Sequence, residues 1–301
     1  MIKFSFLLFT FLLSFFAAKA QKSWPDADRH KGLELLEHQG NLSVLVSENA
    51  KSDSISLHYL REAKNYFDSI FGLDFPVAVL FISNEAWNDH AYYPPPGMPQ
   101  AWAGNIFLGS GKSVVALQAE QELQQLPSDE LKRLSAHFGE PLDMDLFYRH
   151  NIAIHELGHL YHLYEATKSQ RKWLQEVFAT YAAQAYLLKF QPDLAAATRV
   201  YAEIGSELHF ENIKHHSLEK FEELYLPGLG PQNYEWFQFQ LFQKALRLNE
   251  KFGTEGLVKL RNILVATDME THPELSDSEF YKLAETQLGR EMAEILFEWN
   301  Y

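Results

Sequence analysis

The residues best suited to chemistry in this chain form one short stretch, His155-Glu156-Leu157-Gly158-His159. Two histidines four residues apart lie on one face of an α-helix, about 40° apart around its axis, so both imidazoles can bind one Zn²⁺ at about 2.1 Å. Glu156 points to the side of that face, where it can hydrogen-bond a water on the metal instead of binding the metal. If it is helical, the stretch is therefore a zinc-binding half-site with its own general base.

The other reading of this stretch is a solvated helix face that carries two unrelated histidines. Its apolar neighbours instead predict a mostly buried helix, in which two histidines and a glutamate need polar partners; these neighbours are Ile152, Ala153, Ile154, Leu157 and Leu160. Gly158 lowers the helix propensity by about 1 kcal/mol relative to alanine. We therefore expect another element to approach the helix closely at Gly158.

A catalytic zinc needs a third protein ligand and an open position for water, and two carboxylates compete for that third place. Glu165 lies six residues after His159 without a helix-breaking residue between them. An unbroken helix carries Glu165 about 9 Å along its axis, which is too far for ligation. Glu176 follows His159 after 16 intervening residues, which allow a loop and an antiparallel second helix. We therefore favour Glu176 as the third ligand.

The segment around Glu176 resembles the gluzincins, zinc metallopeptidases whose third ligand is a glutamate on the helix that follows the H-E-x-x-H motif. It matches the W-L-x-E-x-x-A-x-Y form of the aminopeptidase-like members of the peptidase MA group at Trp173, Leu174, Glu176, Ala179 and Tyr181. Val177 stands where the family often has glycine. The resemblance implies that His155, His159 and Glu176 bind zinc and that Glu156 is the general base.

The resemblance also implies a downstream tyrosine that opens a helix and donates a hydrogen bond to the oxyanion of the reaction. Tyr234 stands at such a helix start, after Gly228-Leu229-Gly230-Pro231, but Phe237 replaces a residue that is usually small. The alternative is that Tyr234 is one of 14 tyrosines and simply packs at a helix start. The G-x-M-E-N motif of aminopeptidases is absent from the chain, so recognition of a free substrate N-terminus is not implied.

Two further features are candidates for supporting roles. We interpret residues 103–108 as the edge strand that pairs with an extended peptide, because Gly104 would allow close approach of the peptide backbone. The alternative is that these residues form an ordinary strand of the sheet. His162 lies on the same helix face as the ligand pair, where it either contacts a ligand histidine or is simply packed.

The elements that position these residues follow from the hydrophobic pattern, which places strands first and helices afterwards. The pattern predicts strands at 42–46, 75–83, 101–108 and 113–117, the last two joined in a hairpin by residues 109–111. It predicts helices at 55–71, 128–138, 143–164, 171–190, 193–210, 217–225, 233–252, 255–266 and 277–299. We expect an α+β, zincin-like chain, with an N-terminal α/β half over residues 21–165 that ends in the active-site helix. A helical C-terminal half over residues 166–301 carries the third ligand.

The first 20 residues have the features of a signal peptide: Lys3, an apolar run over residues 4–16, and a small-x-small cleavage site that ends at Ala20. The apolar run is too short to span a bilayer. We expect an exported chain, secreted or periplasmic, that is cleaved after Ala20 and does not stay inserted in a membrane. The alternative is an uncleaved N-terminal anchor.

Composition narrows the chemistry and the partners. The 301 residues are 47% hydrophobic and 22% charged, which is typical of globular proteins. Cysteine is absent, which excludes thiolate catalysis and cysteine-ligated zinc. Without residues 1–20 the chain has 24 basic against 40 acidic residues, a net charge of −16 that argues against nucleic acid and anionic membranes as partners.

These observations favour an exported zinc-dependent metallopeptidase that acts on a peptide or protein substrate. One alternative is a catalytically inactive protein that keeps the zincin fold for binding or scaffolding. The other is a helical exported protein without metal, in which the motif is accidental.

Overall fold

The computed structural model describes residues 24–93, 95–207, 213–225 and 228–299, so the predicted signal peptide lies outside the described residues. It is an α+β structure with one small mixed sheet and a helical C-terminal half. The sheet has five strands in the order β1-β2-β3-β5-β4, where β2, β3 and β5 are parallel and the two outer strands are antiparallel to their neighbours. Their bounds are β1 Glu34–Gln39, β2 Leu42–Val46, β3 Val77–Ile82, β4 Gln100–Trp102 and β5 Asn105–Gly109.

The prediction of a hairpin with its turn at residues 109–111 is wrong. A two-residue turn at Ala103 and Gly104, both with positive φ, instead joins β4 to β5. Residues 113–117 are not a strand, because Ser113 caps a helix and accepts a hydrogen bond from the backbone N–H of Ala116.

The prediction that residues 103–108 form the edge strand is wrong as well. Strand β5 lies between β3 and β4, and the edge on this side of the sheet is β4.

Eleven α-helices occur in the described part of the chain. Their bounds are α1 Ser54–Phe71, α2 Trp87–His90, α3 Val114–Glu122, α4 Ser128–Phe138, α5 Ile152–Leu163, α6 Lys172–Phe190, α7 Pro192–Glu207, α8 Leu218–Leu224, α9 Pro231–Ala266, α10 Asp277–Leu288 and α11 Arg290–Phe297. None of the described helices is both long enough and apolar enough to cross a membrane.

Local signals explain where several helices begin and end. Asp53 caps α1 by accepting the backbone N–H groups of Ile55 and Ser56, and Gly72 ends the helix in the left-handed conformation that favours glycine. A π-helical turn over Leu146–Asn151 leads directly into α5. The single helix predicted over 143–164 is therefore a π-helical turn followed by an α-helix.

Helices α5 and α6 cross closely at Gly158, as its sequence context predicts. A Cβ at Gly158 would lie 3.2 Å from both the Cα and the carbonyl oxygen of Ala179 and 3.3 Å from the Cβ of Ala182. One buried apolar cluster extends on both sides of this crossing and includes Val79 of β3, Leu157 of α5 and Leu260 of α9. The crossing thus lies inside the main core, where small changes in helix spacing are resisted by close packing.

Helix α9 is interrupted at Gly253, whose φ of 50° and ψ of −147° are not helical. The Tyr181 hydroxyl on α6 lies 2.5 Å from the carbonyl oxygen of Gly253 and 3.1 Å from that of Leu248, and it shares its one proton between them. Tyr181 therefore fixes α6 against the kink of α9.

Candidate metal centre

Three side chains from two helices bring their polar atoms together beside the sheet. The Nε2 atoms of His155 and His159 on α5 are 3.0 Å apart. The Oε2 atom of Glu176 on α6 lies 3.5 Å from Nε2 of His155 and 3.7 Å from Nε2 of His159. Glu176 therefore returns to the histidine pair, as its position after the motif predicts.

The spacing of these atoms can be compared with what a zinc ion requires. Ligand atoms placed tetrahedrally at about 2.1 Å from Zn²⁺ lie about 3.4 Å from one another. The three separations in the structure, 3.0, 3.5 and 3.7 Å, bracket this value. Two imidazoles and one carboxylate are also a donor set that suits a catalytic zinc. The residues present thus fit the metal that the sequence suggested.

Each histidine of the pair is oriented by a second side chain. Nδ1 of His155 lies 3.1 Å from Oγ1 of Thr180, which is one helical turn after Glu176 on the same face of α6. Nδ1 of His159 lies 3.2 Å from Nε2 of His162, one turn further along α5. These contacts leave both Nε2 atoms directed at Glu176. Of the two alternatives for His162, the structure therefore favours contact with a histidine of the pair. Thr180 was missed, although its i+4 spacing from Glu176 was readable.

Glu176 has two hydrogen-bond donors that sequence reasoning also missed. The Tyr225 hydroxyl donates to Oε1 at 2.5 Å, and the Gln238 amide donates to Oε2 at 3.0 Å. Tyr225 follows directly on α8 and Gln238 belongs to α9, so four helices contribute to the surroundings of one carboxylate. No spacing in the sequence connects Tyr225 to the motif.

Burial and neighbouring charge set the electrostatics of the metal-free cluster. Burial opposes the charge on Glu176, but His159 and His155 outweigh it and hold the pKa of this carboxyl well below its usual range. Burial lowers the pKa of His155, while Glu176 outweighs burial at His159 and raises the pKa of that imidazole. Burial and the neighbouring His159 keep the pKa of His162 well below its usual range. The cluster therefore favours an ionised Glu176, which is the form that binds a cation.

Glu156 lies beside the three candidate ligands and within 4.8 Å of the two histidines, counted between their ligand atoms. Burial raises the pKa of its carboxyl to about 7, although His159 and the nearby backbone of Ala101 favour the charged form. A carboxyl with a pKa near neutrality can both accept and release a proton at physiological pH, which is what a general acid–base group requires.

The strand next to Glu156 is β4, which forms one edge of the sheet. Ala101 lies on β4 and pairs with Ile106, one position beyond the Trp102–Asn105 pair that flanks the two-residue turn. In such a hairpin the flanking pair is hydrogen-bonded and the next pair is not, so the N–H and C=O of Ala101 point away from β5. The C=O of Ala101 is therefore a free acceptor at the sheet edge, whereas its N–H donates to the Glu156 carboxyl.

The structure also brings Tyr234 to this site. Its half-buried ring stacks on Phe221 at 6.3 Å between centroids and lies 6.1 Å from the ring of Tyr225. The pKa of Tyr234 is held well above its usual range, mainly by burial and then by the charges of Glu176 and Glu156. Its phenol therefore remains a proton donor near both carboxylates.

The structure also decides the sequence interpretations of Glu165 and Gly104. Glu165, which the sequence disfavoured as a ligand, forms an ion pair with Arg261 away from the histidine pair. The prediction that Gly104 allows a peptide to approach is wrong, because the chain's own Trp24 and Pro25 occupy that space. A Cβ at Gly104 would lie 2.9 Å from the Cα of Pro25 and 3.0 Å from the indole of Trp24.

No protein-family model matches the chain, and a search of curated proteins finds no significant match.

Proposed function

We propose that this chain is an exported, zincin-like zinc metallopeptidase of the gluzincin type. The observation that carries the proposal is the convergence of His155, His159 and Glu176, whose facing atoms lie within 3.7 Å of one another, with Glu156 beside them. Zinc would be held by these three residues and would supply Lewis-acid chemistry that activates water and polarises the peptide carbonyl.

The remaining steps fall to groups of the chain itself. Glu156 takes the proton from the attacking water and delivers it to the nitrogen of the leaving amine. Its position within 4.8 Å of both histidines, counted between ligand atoms, places it beside the reacting water. The Tyr234 phenol donates a hydrogen bond to the oxyanion that develops on the substrate carbonyl.

The free edge of β4 is the candidate surface for an extended peptide. The outward C=O of Ala101 can accept a hydrogen bond from the substrate backbone, so that the peptide lies along the sheet edge as an added strand. Because Ala101 lies close to Glu156, a peptide bound in this way has its backbone next to the general base. The edge strand of the proposal is thus β4 rather than residues 103–108.

Hydrolysis of a mixed peptide library by the zinc-loaded protein tests the proposal. We expect cleavage that a chelator abolishes and that added zinc restores. The matched control is Glu156→Gln, which keeps the three ligands and removes the base. Equal cleavage by wild type and Glu156→Gln would contradict the mechanism, and zinc binding without any cleavage by wild type would favour an inactive, zincin-like binding protein.

A further inference from the structure

The carboxylate of Glu176 is held differently at its two oxygens. Oε2 lies 3.5 and 3.7 Å from the Nε2 atoms of the histidine pair. Oε1 instead accepts the Tyr225 hydroxyl at 2.5 Å, and Gln238 donates to Oε2 from the side at 3.0 Å. Since Glu176 is only 3% exposed, these two side chains take the place of water around it.

The hydrogen bond from Tyr225 to Glu176 belongs to a class that is stronger than hydrogen bonds between neutral groups. An O–H donor to an ionised carboxylate forms a charge-assisted bond with a length of about 2.5–2.7 Å. The 2.5 Å separation between the Tyr225 hydroxyl and Oε1 of Glu176 lies in this range.

The ring of Tyr225 is itself fixed by packing. It makes edge contacts with Phe221 at 5.3 Å and with Tyr234 at 6.1 Å, and the Lys172 ammonium lies 5.3 Å from its centroid. A donor on a fixed ring restricts the rotation of the carboxylate that it binds. A glutamate without such partners can turn either oxygen, or both, towards a metal.

We propose that Tyr225 and Gln238 are positioning residues that hold Glu176 as a one-oxygen ligand of zinc through Oε2. The inference rests on the proposed function and adds to it two residues outside the motif region. Partners of this kind contribute about 10–100-fold to metal affinity in other sites, because they orient the ligand before the metal arrives. It also links α9 and the residue that follows α8 to the metal, since each supplies one donor.

Zinc affinity, measured by competition with a chromophoric chelator, tests this inference without any activity assay. The variants are Tyr225→Phe and Gln238→Met, each of which removes one donor at nearly constant volume. We expect each variant to bind zinc about 10–100-fold more weakly than wild type. Because the two variants act on different oxygens, either one carries the test if the other does not fold.

Tyr186→Phe is the matched control. Tyr186 lies on the same helix as Glu176 and donates its hydroxyl to the Glu62 carboxylate at 2.7 Å, remote from the histidines. We expect this variant to lower the melting temperature of the zinc-free and zinc-loaded protein alike and to keep wild-type zinc affinity. A positioning role instead lowers the melting temperature of the zinc-loaded protein more than that of the zinc-free protein.

The outcomes separate the inference from the proposed function. Tight zinc binding by wild type with affinities of Tyr225→Phe and Gln238→Met within twofold of it would overturn the inference alone. A wild-type protein that binds no zinc would overturn the proposed function and the inference together.

Discussion

Gly158→Ala perturbs the helix crossing that brings the third ligand to the histidine pair. The added methyl group would meet the Cα and carbonyl oxygen of Ala179 at 3.2 Å and the Cβ of Ala182 at 3.3 Å. Two of these three atoms belong to the backbone of α6 and cannot rotate away. The two helices must therefore separate by a few tenths of an ångström.

Two opposing effects set the size of the change. Replacing a glycine inside a helix by alanine stabilises the helix by about 1 kcal/mol. Overpacking a close contact costs about 1–3 kcal/mol, and the rigid backbone atoms place this contact in the upper part of that range. We expect the metal-free protein to lose about 1 kcal/mol of unfolding free energy. Because Glu176 lies one helical turn before Ala179, the shift also moves it from His155 and His159, and we expect about tenfold weaker zinc binding.

Urea unfolding of the zinc-free protein and chelator competition measure these two quantities. Gly111→Ala is the control, since a Cβ at Gly111 has no heavy atom within 4 Å. It should leave both the unfolding free energy and the zinc affinity near wild type. A Gly158→Ala protein that is more stable than wild type and binds zinc equally well would refute the reasoning, because it would show that the crossing has room for a methyl group.

Three further predictions concern single side chains. Glu156→Gln should lower kcat/KM by about 10²–10⁴ while zinc affinity is retained, as measured by peptide hydrolysis and chelator competition, and loss of zinc would assign Glu156 to the ligands instead. Tyr234→Phe should lower kcat by about 10²–10³ with little change in KM, whereas an unchanged kcat would exclude it as the oxyanion donor. Burial lowers the pKa of His150 below 6.5, although Asp53 partly opposes this effect. The unfolded chain therefore binds a proton at this residue more readily than the folded protein does. Folding stability should decrease for this reason as the pH falls below about 6.5. In urea unfolding of the zinc-free protein at about pH 7.5 and pH 5.5, His150→Gln should show a smaller decrease than wild type, and an equal decrease would contradict this assignment.

Much of the helical layout was predictable because its signals are local. The bounds of α4 match the prediction over residues 128–138, and the predicted end of α1 matches the glycine that terminates it. The return of Glu176 was also predictable, because an unbroken helix after His159 excludes a nearer ligand and the next helix carries a matching pattern. Short-range periodicity and spacing were sufficient for these elements.

The turn before β5 was not predictable from the same signals. Two-residue turns of this kind usually contain asparagine or glycine at the first position, and here Ala103 adopts a φ of 45°. The turn is held by contacts with distant residues, since the carbonyl oxygen of Ala103 accepts from the N–H of Asp26. Residues 109–111, by contrast, favoured a turn prediction only because they include two glycines, Gly109 and Gly111. Tertiary contacts therefore outweighed local preference in this region.

The surroundings of the third ligand could be predicted only in part. His162 and Thr180 lie one helical turn from a ligand, so helical spacing reveals them. Tyr225 lies 49 residues and Gln238 lies 62 residues beyond Glu176, and both reach it only through the packing of α8 and α9 on α6. Contacts of this kind depend on how helices dock, which no local pattern encodes.

The most direct test of the central claim is a crystal structure of the zinc-loaded protein with anomalous data collected at the zinc edge. We predict one anomalous peak per chain, at about 2.0–2.2 Å from Nε2 of His155, Nε2 of His159 and Oε2 of Glu176. No peak at this position, or a peak with Glu176 turned away from it, would contradict the account.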